Sequence, residues 1–250
     1  MIEVSNLSKS YNGNKAVDDV TFSINRGEIF VLLGTSGCGK TTILKMINRL
    51  IEPNSGKVKI NGNDIQNEDI EHLRRTIGYV IQNVGLFPHY TVEENISVVP
   101  NLLKWDKEKI SIRTKDLLKL VGLSDIDFLK KYPNELSGGQ KQRIGIARAL
   151  AADPPIVLMD EPFGAVDPIT RKQIRKEFKT FESLLHKTIV LVTHDIFEAF
   201  ELGDKICLMD NGKVQQIGTS RELIQKPANS FVKEFLDANC FELGKYSNGT

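Results

Sequence analysis

The chain has 250 residues, 40% hydrophobic and 26% charged, with a formal net charge of +1. That is room for one large α/β domain, or a domain carrying a subdomain, and the composition is that of an ordinary globular protein. The near-neutral balance gives no global pointer to nucleic acid or an anionic membrane, and no apolar run approaches the roughly 18 residues a spanning helix needs.

The N-terminus opens on strand-like Ile2-Glu3-Val4 with no basic stretch leading into an apolar one, so no signal peptide is expected. Val20-Thr-Phe-Ser-Ile24 alternates as a half-buried antiparallel strand does, whereas Ile29 to Leu33 is a continuous apolar run that stops at Gly34. Asn54-Ser-Gly56 and Asn61-Gly62 read as turns on either side of a strand Lys57–Ile60, and a further strand Ile77–Ile81 ends at Gln82. From about 86 to 152 helical spacing takes over, for example at Leu117, Leu118, Val121 and Leu123, which predicts a helical subdomain inserted in the sheet. Apolar strands return at Ile156–Met159 and Ile189–Val192. Lys205–Met209 and Lys213–Ile217 form a hairpin through Asp210-Asn-Gly212. The end of the chain, 240–250, lacks periodicity and is expected to be loose. Cys38, Cys207 and Cys240 are odd in number and far apart, which predicts a reduced, cytosolic protein without a disulfide framework or zinc site.

Gly34-Thr35-Ser36-Gly37-Cys38-Gly39-Lys40-Thr41-Thr42 satisfies the phosphate-loop pattern between a buried strand and a helix. Glycines let successive backbone N–H groups turn around a phosphate, Lys40 supplies charge for the β- and γ-phosphates, and the Thr41 hydroxyl can ligate Mg²⁺. The helix starting near Lys40 adds its positive end. Asp160 and Glu161 follow the buried strand Ile156–Met159, at the strand end where open parallel sheets bind ligands. Asp160 is placed for the Mg²⁺ shell and Glu161 to act as general base on water. His194 follows Ile189–Val192 in the same manner and suits the γ-phosphate, while Gln82 is a candidate for water and metal contact. Leu136-Ser137-Gly138-Gly139-Gln140 precedes a helical run and makes a second glycine-rich helix N-terminus. One nucleotide does not explain two such devices. Cys38, at a helix start beside Lys40, is expected to have a lowered thiol pKa.

With these motifs in order over roughly residues 1–237, the chain resembles the nucleotide-binding subunits of ATP-binding cassette (ABC) transporters. The resemblance implies an α/β P-loop (RecA-like) core with an antiparallel β subdomain and the inserted helical subdomain. The ABC ATPase domain would span 1–239. It assigns Tyr11 to adenine stacking, Gly34–Thr42 to the Walker A loop, Gln82 to the Q-loop, Leu136–Gln140 to the signature, and Asp160 with Glu161 to the Walker B strand. Ala165-Val166-Asp167 becomes the D-loop and His194 the switch histidine. Two subunits of the family meet head to tail, so Ser137, Gly138 and Gly139 of one would close over the ATP held by Lys40 of the other. This agrees with an anion-binding helix end that has no ligand in its own subunit.

With no span of its own, such a subunit would work with separate integral membrane permease subunits, on the cytoplasmic face, and indirectly with a substrate-binding protein. That favours an importer. Leu86 to Glu94 would line the groove for the membrane subunit, with Phe87 and Tyr90 either exposed for that contact or packed in the core of the helical subdomain. Lys45–Pro53, Gly78–Pro88 and Asp167–Arg171 are similar to the ATPases of importers for glycine betaine, carnitine or choline. Many of those ATPases continue into paired CBS domains. This sequence ends before such a pair, so the expectation is a short or truncated member without that ionic-strength sensor. The alternatives are an importer ATPase for another solute, such as an amino acid, or a non-transport ABC ATPase. Repair ATPases carry a long heptad insertion that 83–135 is too short to hold.

Overall fold

Residues 1–238, except 83, 165, 167, 168, 170, 173, 177 and 179–185, are described by the structure, a computed structural model. The chain divides into two compact units, one made of residues 1–66 with those from 192 onward, the other of residues 67–191.

The first unit opens with β1 (Ile2–Tyr11) and β2 (Asn14–Ile24), an antiparallel pair reversed by Asn12-Gly13. Both turn residues have positive φ, 50° and 83°, which suits a two-residue hairpin and which Asn and Gly tolerate. Val20, Phe22 and Ile24 are buried while Thr21 and Ser23 face out, the alternation expected from the sequence. Phe22 stacks on Phe30 of the next strand with ring centroids 4.9 Å apart. That strand, β3 (Ile29–Gly34), is buried throughout and leads to α1 (Lys40–Ile47).

β4 (Ser55–Ile60) and β5 (Asn63–Asp64) complete a sheet of order β2-β1-β4-β5. Here the expected turn at Asn54-Ser-Gly56 is corrected. Ser55 and Gly56 belong to β4, and Gly56, with φ of 83°, sits where the β1–β4 register slips between Ser5 and Ser8. A side chain at Gly56 would collide with the Asn6 backbone, so this glycine marks a bulge.

The second unit begins with α2 (Ile70–Arg75) and β6 (Ile77–Val80). The stretch 86–152 then holds α3 (Val92–Leu102), α4 (Lys107–Leu120) and α5 (Gly138–Leu150), with no strand among the described residues. Helix α5 packs on α3, α4 and β6. β7 (Ile156–Asp160) pairs parallel with β6, and β8 (Thr188–Thr193) lies on the other side of β7. The last two residues of β8, Val192 and Thr193, belong to the first unit.

There the chain continues through α6 (Ile196–Leu202) to β9 (Lys205–Asp210), parallel to β3. β10 (Lys213–Gly218) returns antiparallel through Asn211-Gly212, the expected hairpin, and α7 (Ser220–Gln225) and α8 (Ser230–Asp237) follow. No helix among the described residues is long and apolar enough to cross a membrane. The expected loose tail, 240–250, lies outside the described residues, as does Cys240.

Candidate active site

In the first unit the phosphate loop runs from the buried end of β3 to the start of α1. Gly37 and Gly39 have φ of 80° and 102°, and a side chain at Gly39 would strike the carbonyl oxygen of Ala16. Gly39 is also the N-cap of α1, with no side-chain cap and no acid in the first turn, so the helix end is not covered by an acid of its own. The Lys40 side chain folds back over the loop. Its ammonium, in a residue only 5% exposed, donates to the carbonyls of Gly34 at 2.8 Å and Thr35 at 2.7 Å.

The loop is supported from beneath, because the N–H of Gly212 in the β9–β10 turn donates to the Cys38 carbonyl at 3.2 Å. Thr35, Ser36 and Gly37 are exposed, and Thr41 and Thr42 are partly so.

Cys38 departs from expectation. Its sulfur lies 3.6 Å from the Lys40 ammonium, yet burial raises the thiol above its ordinary value and outweighs the lowering by Lys40. The residue is a buried, protonated thiol rather than an activated one.

Tyr11, at the end of β1, is 45% exposed, with the Lys9 ammonium 5.5 Å from its ring centroid. An exposed ring at a hairpin is a platform for stacking a base. His194 is exposed just past β8, and the residues around it are tightly tied. The Thr193 hydroxyl donates to the buried Glu198 carboxylate at 2.6 Å, and Asp195 caps α6 by accepting from the N–H groups of Phe197 and Glu198. Sequence reasoning missed these positioning residues. Asp195 followed three residues later by Glu198 is a helix-start signal that would have found them.

In the second unit, β6 and β7 run parallel with Val80 opposite Met159. Two residues further on, the same register aligns Gln82 with Glu161, and the Gln82 amide donates to the Glu161 carboxylate at 2.9 Å. Asp160, the last residue of β7, is 4% exposed. Burial raises the Tyr79 phenol, and the Asp160 charge pushes in the same direction. Glu161 has φ of 45°, a left-handed conformation that a non-glycine residue adopts at a cost of about 1–3 kcal/mol.

The Gln82 amide oxygen and the Asp160 carboxylate are hard donors of the type Mg²⁺ takes alongside phosphate oxygens and water. Among the described residues no cluster of three His, Cys, Asp or Glu forms a metal cage. A cation held mainly by substrate phosphates needs none.

Helix α5 begins at the glycine-rich motif. Ser137 and Gln140 form a reciprocal cap: the Ser137 hydroxyl oxygen accepts from the Gln140 N–H at 3.3 Å, and the Gln140 side chain accepts from the Ser137 N–H at 2.9 Å. Leu136 is buried, Ser137 and Gly138 are exposed, and Gly139 and Gln140 are partly exposed. The cap uses the hydroxyl as acceptor only, so its proton and the Gly138 and Gly139 amides still suit an anion. Ala165 and Asp167 lie outside the described residues, while Val166 between them is buried.

Residues 17–164 match the family model described as ABC transporter. The choline transport ATP-binding protein OpuBA of Bacillus subtilis (strain 168) is 53% identical over 237 residues, which cover 94% of this chain. This chain spans only 62% of OpuBA's length. The glycine betaine uptake system ATP-binding protein YehX of Escherichia coli (strain K12) is 49% identical, with 98% of this chain and 78% of YehX covered. A solved structure of the ATP-binding cassette MJ0796, a dimer in a post-hydrolysis state bound to ADP and Pi, superposes with a TM-score of 0.78 at 35% identity. That match covers 88% of this chain and 98% of MJ0796.

Proposed function

The chain belongs to the ABC transporter family, and from that premise we propose that it is the ATP-hydrolysing subunit of an importer for a quaternary-amine osmoprotectant. Its fold is the ABC ATPase fold, shared with the MJ0796 cassette. The solute class, glycine betaine, carnitine or choline, rests on what relatives about half identical to this chain are named for. The catalytic reading rests on one contact above all, the hydrogen bond from Gln82 to Glu161 at the end of β7.

Lys40 and the amides of Gly34–Thr42 bind the triphosphate, and Tyr11 stacks on the adenine. Thr41, Gln82 and Asp160 would hold Mg²⁺, which would supply charge neutralisation at the phosphates. Glu161 takes a proton from the attacking water, and Gln82 fixes the carboxylate that does so. His194, held by its tied neighbours, donates to the γ-phosphate as charge develops there. Ser137, Gly138 and Gly139 serve the ATP of a second copy, and Asp167 is assigned to the same subunit interface. The working unit is a dimer, or a pair with a related ATPase subunit, docked at the cytoplasmic face on permease subunits fed by a binding protein.

Glu161→Gln in the purified chain is expected to keep ATP binding, lose turnover and accumulate an ATP-dependent dimer on size exclusion. Hydrolysis undiminished by this change would remove Glu161 as the base. In cells lacking the chain, uptake of labelled choline or glycine betaine should return with the wild type and not with Glu161→Gln.

A further inference from the structure

Close in sequence to the Gln82 that meets Glu161, the backbone is not relaxed. Val84, two residues past Gln82, has φ of 58°, a conformation a β-branched residue adopts only under constraint. Gln82 itself is exposed.

The constraint comes from α5. The Arg148 guanidinium donates one hydrogen bond to the Val84 carbonyl at 2.6 Å and another to the Gly85 carbonyl at 2.7 Å. One turn earlier on the same helix, Gly145 leaves the space that the Val84 side chain fills. A methyl group at Gly145 would stand 2.7 Å from a Val84 methyl. Val84 is thus buried against one residue of α5 while its backbone is gripped by another, and the guanidinium carbon lies 5.9 Å from the Phe87 ring centroid. A planar fork with paired donors on two successive carbonyls fixes a peptide's orientation as well as its position.

We propose that Arg148 is a positioning residue for hydrolysis: it holds the Val84–Gly85 peptide so that the Gln82 amide stays on Glu161. Arg148 touches none of the reacting atoms in this role and acts only through the loop. The proposal rests on the assignment of Glu161 and Gln82 to catalysis. It goes beyond that assignment by making α5, the helix that begins at Ser137, the part that sets their geometry.

The test is a double-substitution cycle on the purified chain, with steady-state ATPase rates, ATP affinity and melting temperature measured for each variant. Arg148→Met keeps the stem and removes the fork. It is expected to lower kcat on the order of tenfold with ATP affinity nearly unchanged, as displacement of a catalytic contact does. In a Gln82→Ala background the same substitution should change kcat by less than about twofold, since its target is gone. If Gln82→Ala leaves the rate of the wild type intact, the catalytic reading of Gln82 fails, and the proposal with it. If Gln82→Ala slows hydrolysis and Arg148→Met slows it equally in both backgrounds, the catalytic reading stands and the positioning role is overturned. Should Arg148→Met melt below the assay temperature, Gly145→Ala displaces the same loop from its other contact. It must show the same loss in the wild type and the same absence of loss beside Gln82→Ala.

Discussion

Cys38 shows how far one side chain's chemistry depends on what packs around it. The thiolate, not the thiol, is the nucleophile, and a cation 3.6 Å away favours it. Burial favours the neutral form and wins, so the pKa lies above the ordinary thiol value. The sign follows directly: Cys38 stays protonated through neutral pH and ionises only above the range of a free thiol. Alkylation by iodoacetamide at pH 7, read by mass spectrometry on the Cys38 peptide, should be at least about tenfold slower than for an exposed cysteine and should climb only in alkali. Labelling at the free-thiol rate at pH 7 would contradict this. The motif made legible that Cys38 stands at a helix start beside Lys40. Its burial was not legible, because the loop rests on the β9–β10 turn, whose Gly212 lies far away in sequence. Glu161 divides the same way: its place after an apolar strand is written locally, whereas its bond to Gln82 follows from the β6–β7 register.

At the scale of elements, α3 and the turn before it show a polar side chain doing what a hydrophobic one does not. Asn95 is fully buried, with an exposure of 0%. Its side-chain oxygen accepts from the Phe87 N–H, and its amide donates to the carbonyls of Phe87, Tyr90 and Thr91. Thr91 and Glu94 close the start of the helix with a capping box, and the Thr91 N–H holds the Glu94 carboxyl below its usual value. The turn so fixed presents Phe87, His89 and Tyr90 outward as an interleaved cluster, with His89 and Tyr90 centroids 4.6 Å apart. Phe87 and Tyr90 are therefore surface residues and not core of the helical region, a choice the sequence left open. Asn95→Leu keeps the branched shape and abandons the buried partners, so it should cost about 2–3 kcal/mol, a drop of several degrees in melting temperature. A variant melting with the wild type would show that the turn finds other partners. The Asp210-Asn-Gly212 hairpin was legible because Asn-Gly dictates its own turn. Asn54-Ser-Gly56 misled because the same residue types also serve a bulge, and only the β1 backbone beside Gly56 decides between them.

For the whole molecule, the reading turns on whether the phosphate loop and the Ser137 motif serve one nucleotide or two. Ser137 accepts from the Gln140 N–H in its own helix cap, which leaves the hydroxyl proton available to a ligand. Neither this cap nor the exposure of Gly138 names the nucleotide it meets, and no motif in a single chain does, because complementarity between copies is a property of two surfaces. Substitution separates the cases. Lys40→Ala removes the charge from the phosphate loop and leaves the Ser137 motif intact. Ser137→Arg does the reverse, placing bulk where a second copy would close. If each ATP lies between two copies, neither variant hydrolyses ATP alone, but a mixed dimer contains one site with both parts intact. In an equimolar mixture half the dimers are mixed and each has one such site, so about a quarter of the wild-type sites are restored, given symmetric pairing without preference. Turnover of the mixture should therefore rise above the sum of the separate variants and depend on total protein concentration as dimerisation does. A rate that stays at that sum at every concentration would place both motifs on one nucleotide within a chain. Hydrolysis would then no longer depend on closure between copies.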